Sequence, residues 1–175
     1  DDRALAQAAA SGDRAAFAAL VARHHARLVR VAWRITGSQP TAEDIAQEVC
    51  IALPGKLRTW RGEGKLTTWL HTLTLNAARD HLRREATYGR ARAGWGDAVK
   101  DAQHDAITQS ERANWLAEAM ALLSTDLRET VALITEGVSH AEAADALGIS
   151  EGTVSWRMNR ARTLLSAHHK AEEQT

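Results

Sequence analysis

The sequence predicts an all-α protein: two small helical domains joined by a flexible linker, the second carrying a helix-turn-helix. Three observations lead there. Apolar residues recur at helical spacing through most of the 175 residues. Only two prolines occur, and no β-branched run bounded by turn residues suggests a sheet. Periodicity then lapses over residues 87–108, where Gly89, Gly94 and Gly96 fall close together. The predicted division is a first domain over 1–86, a linker over 87–108 and a second domain over 109–175.

Each helix has its own signals. Asp13, after Gly12, caps a long helix to about Thr36, with Phe17, Leu20, Val21, Leu28, Val31 and Ile35 as its apolar stripe. A break at Thr36–Pro40 follows. Thr41 and Asp44 read as a capping box opening the next helix, which buries Ile45, Val49 and Leu53 and should end or kink at Pro54-Gly55. After the loop Arg61-Gly62-Glu63-Gly64, a helix from about Leu66 to Arg84 carries Leu66, Trp69, Leu70, Leu73 and Ala77 on one side. Helical pattern returns at Ser110 with Leu116, Met120 and Leu123, then Leu127, Val131 and Ile134, ending at Gly137.

The stretch from Ser139 to Leu165 is the most specific. Ser139 and Glu142 form a capping box, and Gly148 provides the left-handed stop of a short helix ending at Leu147. Ile149 fills the turn and Ser150 caps a second helix. Val154, Met158, Ala161 and Leu165 make a narrow apolar stripe there, with Trp156, Asn159, Arg160 and Thr163 opposite. From Thr153 to His169 there are three arginines and no acid. A short helix, a glycine turn and a basic second helix make the arrangement that enters a DNA major groove.

Composition excludes several classes. The single cysteine, Cys50, allows no internal disulfide and no Cys-rich zinc site, and fits a reducing compartment. The adjacent histidine pairs His24-His25 and His168-His169 lack the i, i+4 spacing of a helical zinc site, so no metal and no cofactor is expected. No 18-residue apolar run exists, and the Asp1-Asp2 start does not read as a signal peptide; a cytoplasmic protein without direct membrane insertion is expected. Net charge is zero, but residues 1–84 carry +5 and residues 85–175 carry −5. A chain basic only in patches binds DNA weakly alone, which predicts a partner.

Three motifs, in order, resemble the extracytoplasmic-function (ECF) class of the sigma-70 family of RNA polymerase sigma factors. They are TAEDIAQEVCIAL from Thr41, RTWRGEGKLTTWLHTLTLNAARDHLRR over 58–84, and EGVSHAEAADALGISEGTVSWRMNRAR over 136–162. The chain departs from that pattern at Cys50, usually a bulky aromatic, and at Trp156, usually Ser. LLSTDLRET, over 122–130, also lacks the usual proline.

The resemblance implies a non-enzymatic initiation factor with core RNA polymerase, promoter DNA and an anti-sigma factor as partners. It implies core-polymerase binding by Asp44, Gln47 and Glu48. Promoter melting and downstream-element contacts fall to Trp60, Arg61, Gly62, Glu63, Lys65, Asn76, Arg79, Arg83 and Arg84. Asn76 suits base capture because its amide both donates and accepts. Trp60 reads equally as a stacking platform or a core aromatic. Thr153, Ser155, Trp156, Arg157, Asn159 and Arg160 make the upstream-element reader. By helical angle Arg157 and Arg162 flank the core, suited to a phosphate or an internal carboxylate. Trp156 is suited to a DNA contact or, slightly better, to packing on the first domain or an anti-sigma factor. The alternative reading is a stand-alone helix-turn-helix regulator, although residues 1–85 show neither a phosphorylatable βα pattern nor a coiled coil. A hydrolase lacks any nucleophile–base spacing.

Overall fold

A computed structural model of the protein describes residues 1–93 and 111–172, with side chains over 1–87 and 115–169. Among these residues all regular structure is helical: α1 (Asp2–Ala10), α2 (Arg14–Thr36), α3 (Gln39–Leu57), α4 (Leu66–Ala93), α5 (Glu111–Ala121), α6 (Thr125–Thr135), α7 (His140–Leu147) and α8 (Glu151–Glu172).

The first helix is an addition to the sequence reading. Asp1 caps α1 through the Arg3 amide, and the helix buries only Ala6 and Ala9. Its buried face is made of alanines, with Leu5 alongside, and no large apolar stripe marks its period in the sequence. In α2 the predicted cap forms, Asp13 accepting from the Ala15 and Ala16 amides at 2.8 and 3.0 Å. Leu20, Leu28, Val31 and Ile35 are buried as expected, and so is His24.

Two details of α3 differ from expectation. Its cap is Ser38, which accepts from the Thr41 amide; the Thr41–Asp44 box does not form. Pro40 explains the earlier start, since a proline in the first turn loses no helical hydrogen bond. The helix also continues through Pro54 to Leu57. An internal proline costs about 3 kcal/mol. Burial of both Leu53 and Leu57 at 2–3% exposure offsets a cost of that size.

α4 likewise runs past Arg84 to Ala93, so the first residues of the predicted linker are helical. The rest of it, 94–108, lies outside the described residues. Of the apolar residues that mark the helical pattern there, Met120 and Leu123 are buried, while Leu116 on α5 is exposed.

The helix-turn-helix follows the prediction closely. Ser139 and Glu142 close both halves of the capping box, and Gly148 sits in the left-handed region at φ 69°. The Ser150 hydroxyl accepts from the Thr153 amide at 3.1 Å. Val154 and Ala161 are buried, while Met158 and Leu165 are half-buried.

Among the described residues, three apolar clusters hold the helices together. One joins α1–α4 around Leu20, Leu28, Leu53, Leu57 and Leu70. A second, around Met120, Leu123, Leu127, Val131 and Ala161, joins α5, α6 and α8. The third crosses between the two halves: Val31, Ile35, Ile45 and Leu75 share it with Leu133, Val138, Ala144 and Val154. The halves predicted as separate domains therefore meet over a common apolar face.

Candidate nucleic-acid and partner interfaces

The predicted polymerase face stands open. Asp44, Gln47 and Glu48 are all exposed on α3, while the apolar side of that helix places Ala42, Ile45, Ala46 and Val49 in the core. A helix with three exposed polar groups opposite a buried stripe is suited to a cationic partner helix. Glu48 has a cation nearby, Arg84 at 3.8 Å.

The second surface gathers around the loop before α4 and the outer side of α4. Trp60 is half-buried against the first-domain core, with its ring 6.0 Å from that of Trp69. Arg61, Glu63 and Lys65 are exposed around it. Gly62 is fixed by geometry: its φ is 74°, and a Cβ there would lie 3.0 Å from the Arg3 guanidinium. Arg3, on a helix that the pattern did not show, is thus a cation beside this loop that sequence reasoning missed. Asn76 is exposed on α4 with Arg83 and Arg84 beyond it; Arg83 is paired with Asp80.

Arg79 differs from its neighbours. Its guanidinium grips Glu129 of α6 through Nε and Nη2 at 2.7 and 2.6 Å. The fork geometry is the one that holds a carboxylate or a phosphate with two parallel bonds. Glu129 raises the Arg79 pKa further, so the charge is fixed.

The third surface is the solvent side of α8. Trp156 and Arg160 are exposed, as is Asn159, whose amide oxygen accepts from Arg162. Ser155 meets the His140 ring at 3.1 Å, which ties the recognition helix to α7. Arg157 pairs with Asp126 at 3.0 Å, the internal carboxylate that its flanking angle suggested. Trp156 is 62% exposed, so its suggested packing on the first domain does not occur. The reason is local: α8 reaches the shared cluster through Val154, and the indole lies on the far side.

Further contacts escaped the sequence reading. Glu136 accepts from Arg30 at 2.8 Å through both oxygens and from Arg34 at 2.7 Å. Burial raises its pKa, but these hydrogen bonds and charges outweigh that and hold it down to about 2. Glu142 accepts from the Thr68 hydroxyl at 3.1 Å and lies 3.8 Å from the Lys65 ammonium. Arg128 donates to the Ile35 carbonyl at 3.3 Å, satisfying one of the free carbonyls at the end of α2. The opposite charges of the two halves were the available signal.

Among the described residues no group of three or more His, Cys, Asp or Glu could hold a metal ion, and no helix is long and apolar enough to cross a membrane.

Comparison with known proteins agrees with this layout. Sigma-70 region 2 matches residues 20–88, and Sigma-70, region 4 matches residues 113–165. The chain is 32% identical to the ECF RNA polymerase sigma factor SigM of Mycobacterium tuberculosis, over 94% of this chain and 83% of that protein. It is also 32% identical to the RNA polymerase sigma factor CnrH of Cupriavidus metallidurans, over 95% and 93% of the two chains. A solved structure of CnrH in complex with the cytosolic domain of CnrY superposes with a TM-score of 0.70, covering 97% of each chain at 32% identity. The sigma factor RpoE in complex with the anti-sigma factor NepR, from Bartonella quintana, gives 0.73 over 88% of this chain and 96% of that one, at 25% identity. With both regions present in order and that identity sustained along nearly its whole length, the chain belongs to the ECF sigma factors of the sigma-70 family.

Proposed function

We propose that this sigma factor divides its work among the three surfaces. Residues 1–86 act as the region 2 domain and 109–175 as the region 4 domain, joined through 87–108. Asp44, Gln47 and Glu48 dock on core RNA polymerase. Trp60, Arg61, Gly62, Glu63, Lys65, Asn76, Arg79, Arg83 and Arg84 hold the melted strand and the downstream element. Thr153, Ser155, Trp156, Arg157, Asn159 and Arg160 read the upstream element. The protein performs no catalysis of its own and works in the cytoplasm. By analogy with the CnrH–CnrY and RpoE–NepR complexes, an anti-sigma factor holds it inactive.

The observation that carries this reading is the α8 face. A helix fixed by its Ser150 cap and a buried stripe leaves Trp156, Asn159 and Arg160 in solvent, where base edges can be reached. Asn76, exposed on α4, supplies a matching donor–acceptor on the other half. Transcription in vitro with purified core polymerase tests the assignment. Reversing charge at Asp44 and Glu48 is expected to abolish core pull-down while helicity survives; retained pull-down rejects that face. A stand-alone regulator would instead bind its promoter specifically without core polymerase.

A further inference from the structure

We propose that α1 is part of the nucleic-acid surface: Gln7, Arg58 and Trp60 line a cleft that takes one unstacked nucleotide of melted DNA, and Arg3 holds a phosphate beside it. The proposal rests on the strand-holding role given above to the loop Arg61–Lys65. It extends that role to a helix lying ahead of the segment matched to Sigma-70 region 2, which begins at residue 20.

The inward stripe of α1 fixes its position. Asp2 pairs with Arg23 and lies 3.1 Å from Nε2 of the buried His24. One and two turns on, Ala6 and Ala9 enter the first-domain core. Arg3 and Gln7 are four positions apart, so they neighbour each other on the helix surface, and both are exposed.

Arg3 meets the loop directly. A Cβ at Gly62 would lie 3.0, 3.4 and 3.5 Å from its Nη2, Cζ and Nε, so the guanidinium occupies the space that a side chain would fill. Among the described residues Arg3 has no carboxylate partner, and neither have Arg58 and Arg61. Arg79, Arg83 and Arg84, by contrast, face Glu129, Asp80 and Glu48. A guanidinium without an internal partner keeps its donors available for an outside anion.

The cleft lies between α1 and the end of α3. Ala6, Ala10, Leu57 and Trp60 give it apolar walls, Gln7 and Arg58 are its exposed polar groups, and its volume is about 370 Å3. That is at the small end of the range for small-ligand pockets, about 300–1,000 Å3. The composition suits an unstacked base. An indole offers a stacking face, an amide both donates to and accepts from a base edge, and a guanidinium neutralises the backbone. The adjoining loop adds Arg61 and Lys65 against one acid, Glu63, which favours an anionic strand over an apolar peptide.

The test uses holoenzyme reconstituted from the full-length chain and core polymerase. The probe is a promoter fragment selected with that holoenzyme, its melted segment held open by mismatches. Arg3→Ala is expected to weaken binding at least fivefold and to lower the slope of log affinity against log salt by about 0.7, the share of one single-strand phosphate. Arg3→Lys should keep the slope. Gln7→Ala should leave the slope alone but reduce the preference among the four bases at one open position at least fivefold. Core pull-down and helicity should be unchanged in all three. If Arg61→Ala and Asn76→Ala weaken binding while Arg3→Ala and Gln7→Ala match the wild type, the α1 cleft is overturned and the loop reading stands. If none of the four has an effect, the loop reading falls and the cleft with it. An equal loss by Arg3→Ala on a duplex fragment carrying only the upstream element also overturns the cleft.

Discussion

The two surfaces proposed to read DNA are in opposite conditions. On region 2, Arg79 is committed to Glu129 and Lys65 stands close to Glu142. On region 4, the outer face of α8 keeps Asn159, Arg160 and Trp156 in solvent. Where a reading group lies relative to the contact between the halves decides its condition. Arg79 sits one residue beyond Ala78, which belongs to the shared cluster, whereas Trp156 lies opposite Val154 on its helix. Under the proposed assignment, a group on the contact face has its donors occupied within the chain, whereas a group on the outer face keeps them in solvent.

The largest expected effect tests whether the halves are one cooperative unit. Leu133 is 1% exposed in the cluster that both halves share. Leu133→Ala is expected to cost about 2–5 kcal/mol, from lost transfer energy plus a cavity. In urea, fluorescence and circular dichroism transitions should shift together. A region 2 transition left unmoved would break the comparison, because the contact between the halves would then add nothing to stability.

Acid gives the next largest effect. His71 is 2% exposed, and burial is the main reason its pKa falls to about 4. Glu136 opposes that shift, while Arg27, His24 and Arg30 reinforce it. The unfolded imidazole takes its proton near pH 6.5 and the native one not until about 4, so stability is full above 6.5 and falls as pH drops between them. The difference amounts to roughly 3 kcal/mol. Glu136 adds a second fall between 4.5 and about 2, as its depressed carboxyl is finally protonated. Urea midpoints at pH 7, 5.5 and 4.5 measure the first fall, and His71→Leu should flatten it.

A smaller effect sharpens the region 2 side. Asn76→Ala is expected to weaken open-complex formation by about 1–3 kcal/mol, the size of one base-specific contact, with core binding intact. Unchanged transcription from the native promoter would make Asn76 a structural residue. The smallest effect lies on region 4. Trp156→Ser should change stability by no more than about 0.5 kcal/mol, since the indole is largely in solvent at 62% exposure. It is expected to alter upstream-element preference. Unaltered preference with weaker anti-sigma binding would assign the indole to a protein partner.

Legibility in the sequence followed how local the determining contact was. The helix-turn-helix could be read to the residue because Ser139, Glu142, Gly148 and Ser150 act over three or four positions. The start of α3 was misread because Thr41–Asp44 fits the capping pattern as well as Ser38 does, and Pro40, which suits a first turn, was taken as part of the break. Pro54 was overruled by burial of Leu53 and Leu57, a tertiary effect that local propensity does not contain. Among the site residues, the exposure of Asp44, Gln47, Glu48 and Asn76 followed from helical angle. The capture of Arg79 by a residue 50 positions away did not. Pattern gave Arg79, Arg83 and Arg84 the same reading, and only packing distinguishes them.

Glu142 shows what such sharing means for variation at a single position. Its carboxylate completes the capping box with Ser139 and also faces Thr68 and Lys65 across the contact. Glutamine satisfies the cap, since either amide or acid serves there, but brings no charge to Lys65. Aspartate brings the charge on a shorter arm. Alanine brings neither. Of the common substitutions none meets both demands, so drift at residue 142 is limited by two structural tasks at once. A helix start that could elsewhere exchange freely among capping residues is here coupled to the state of the other half of the molecule.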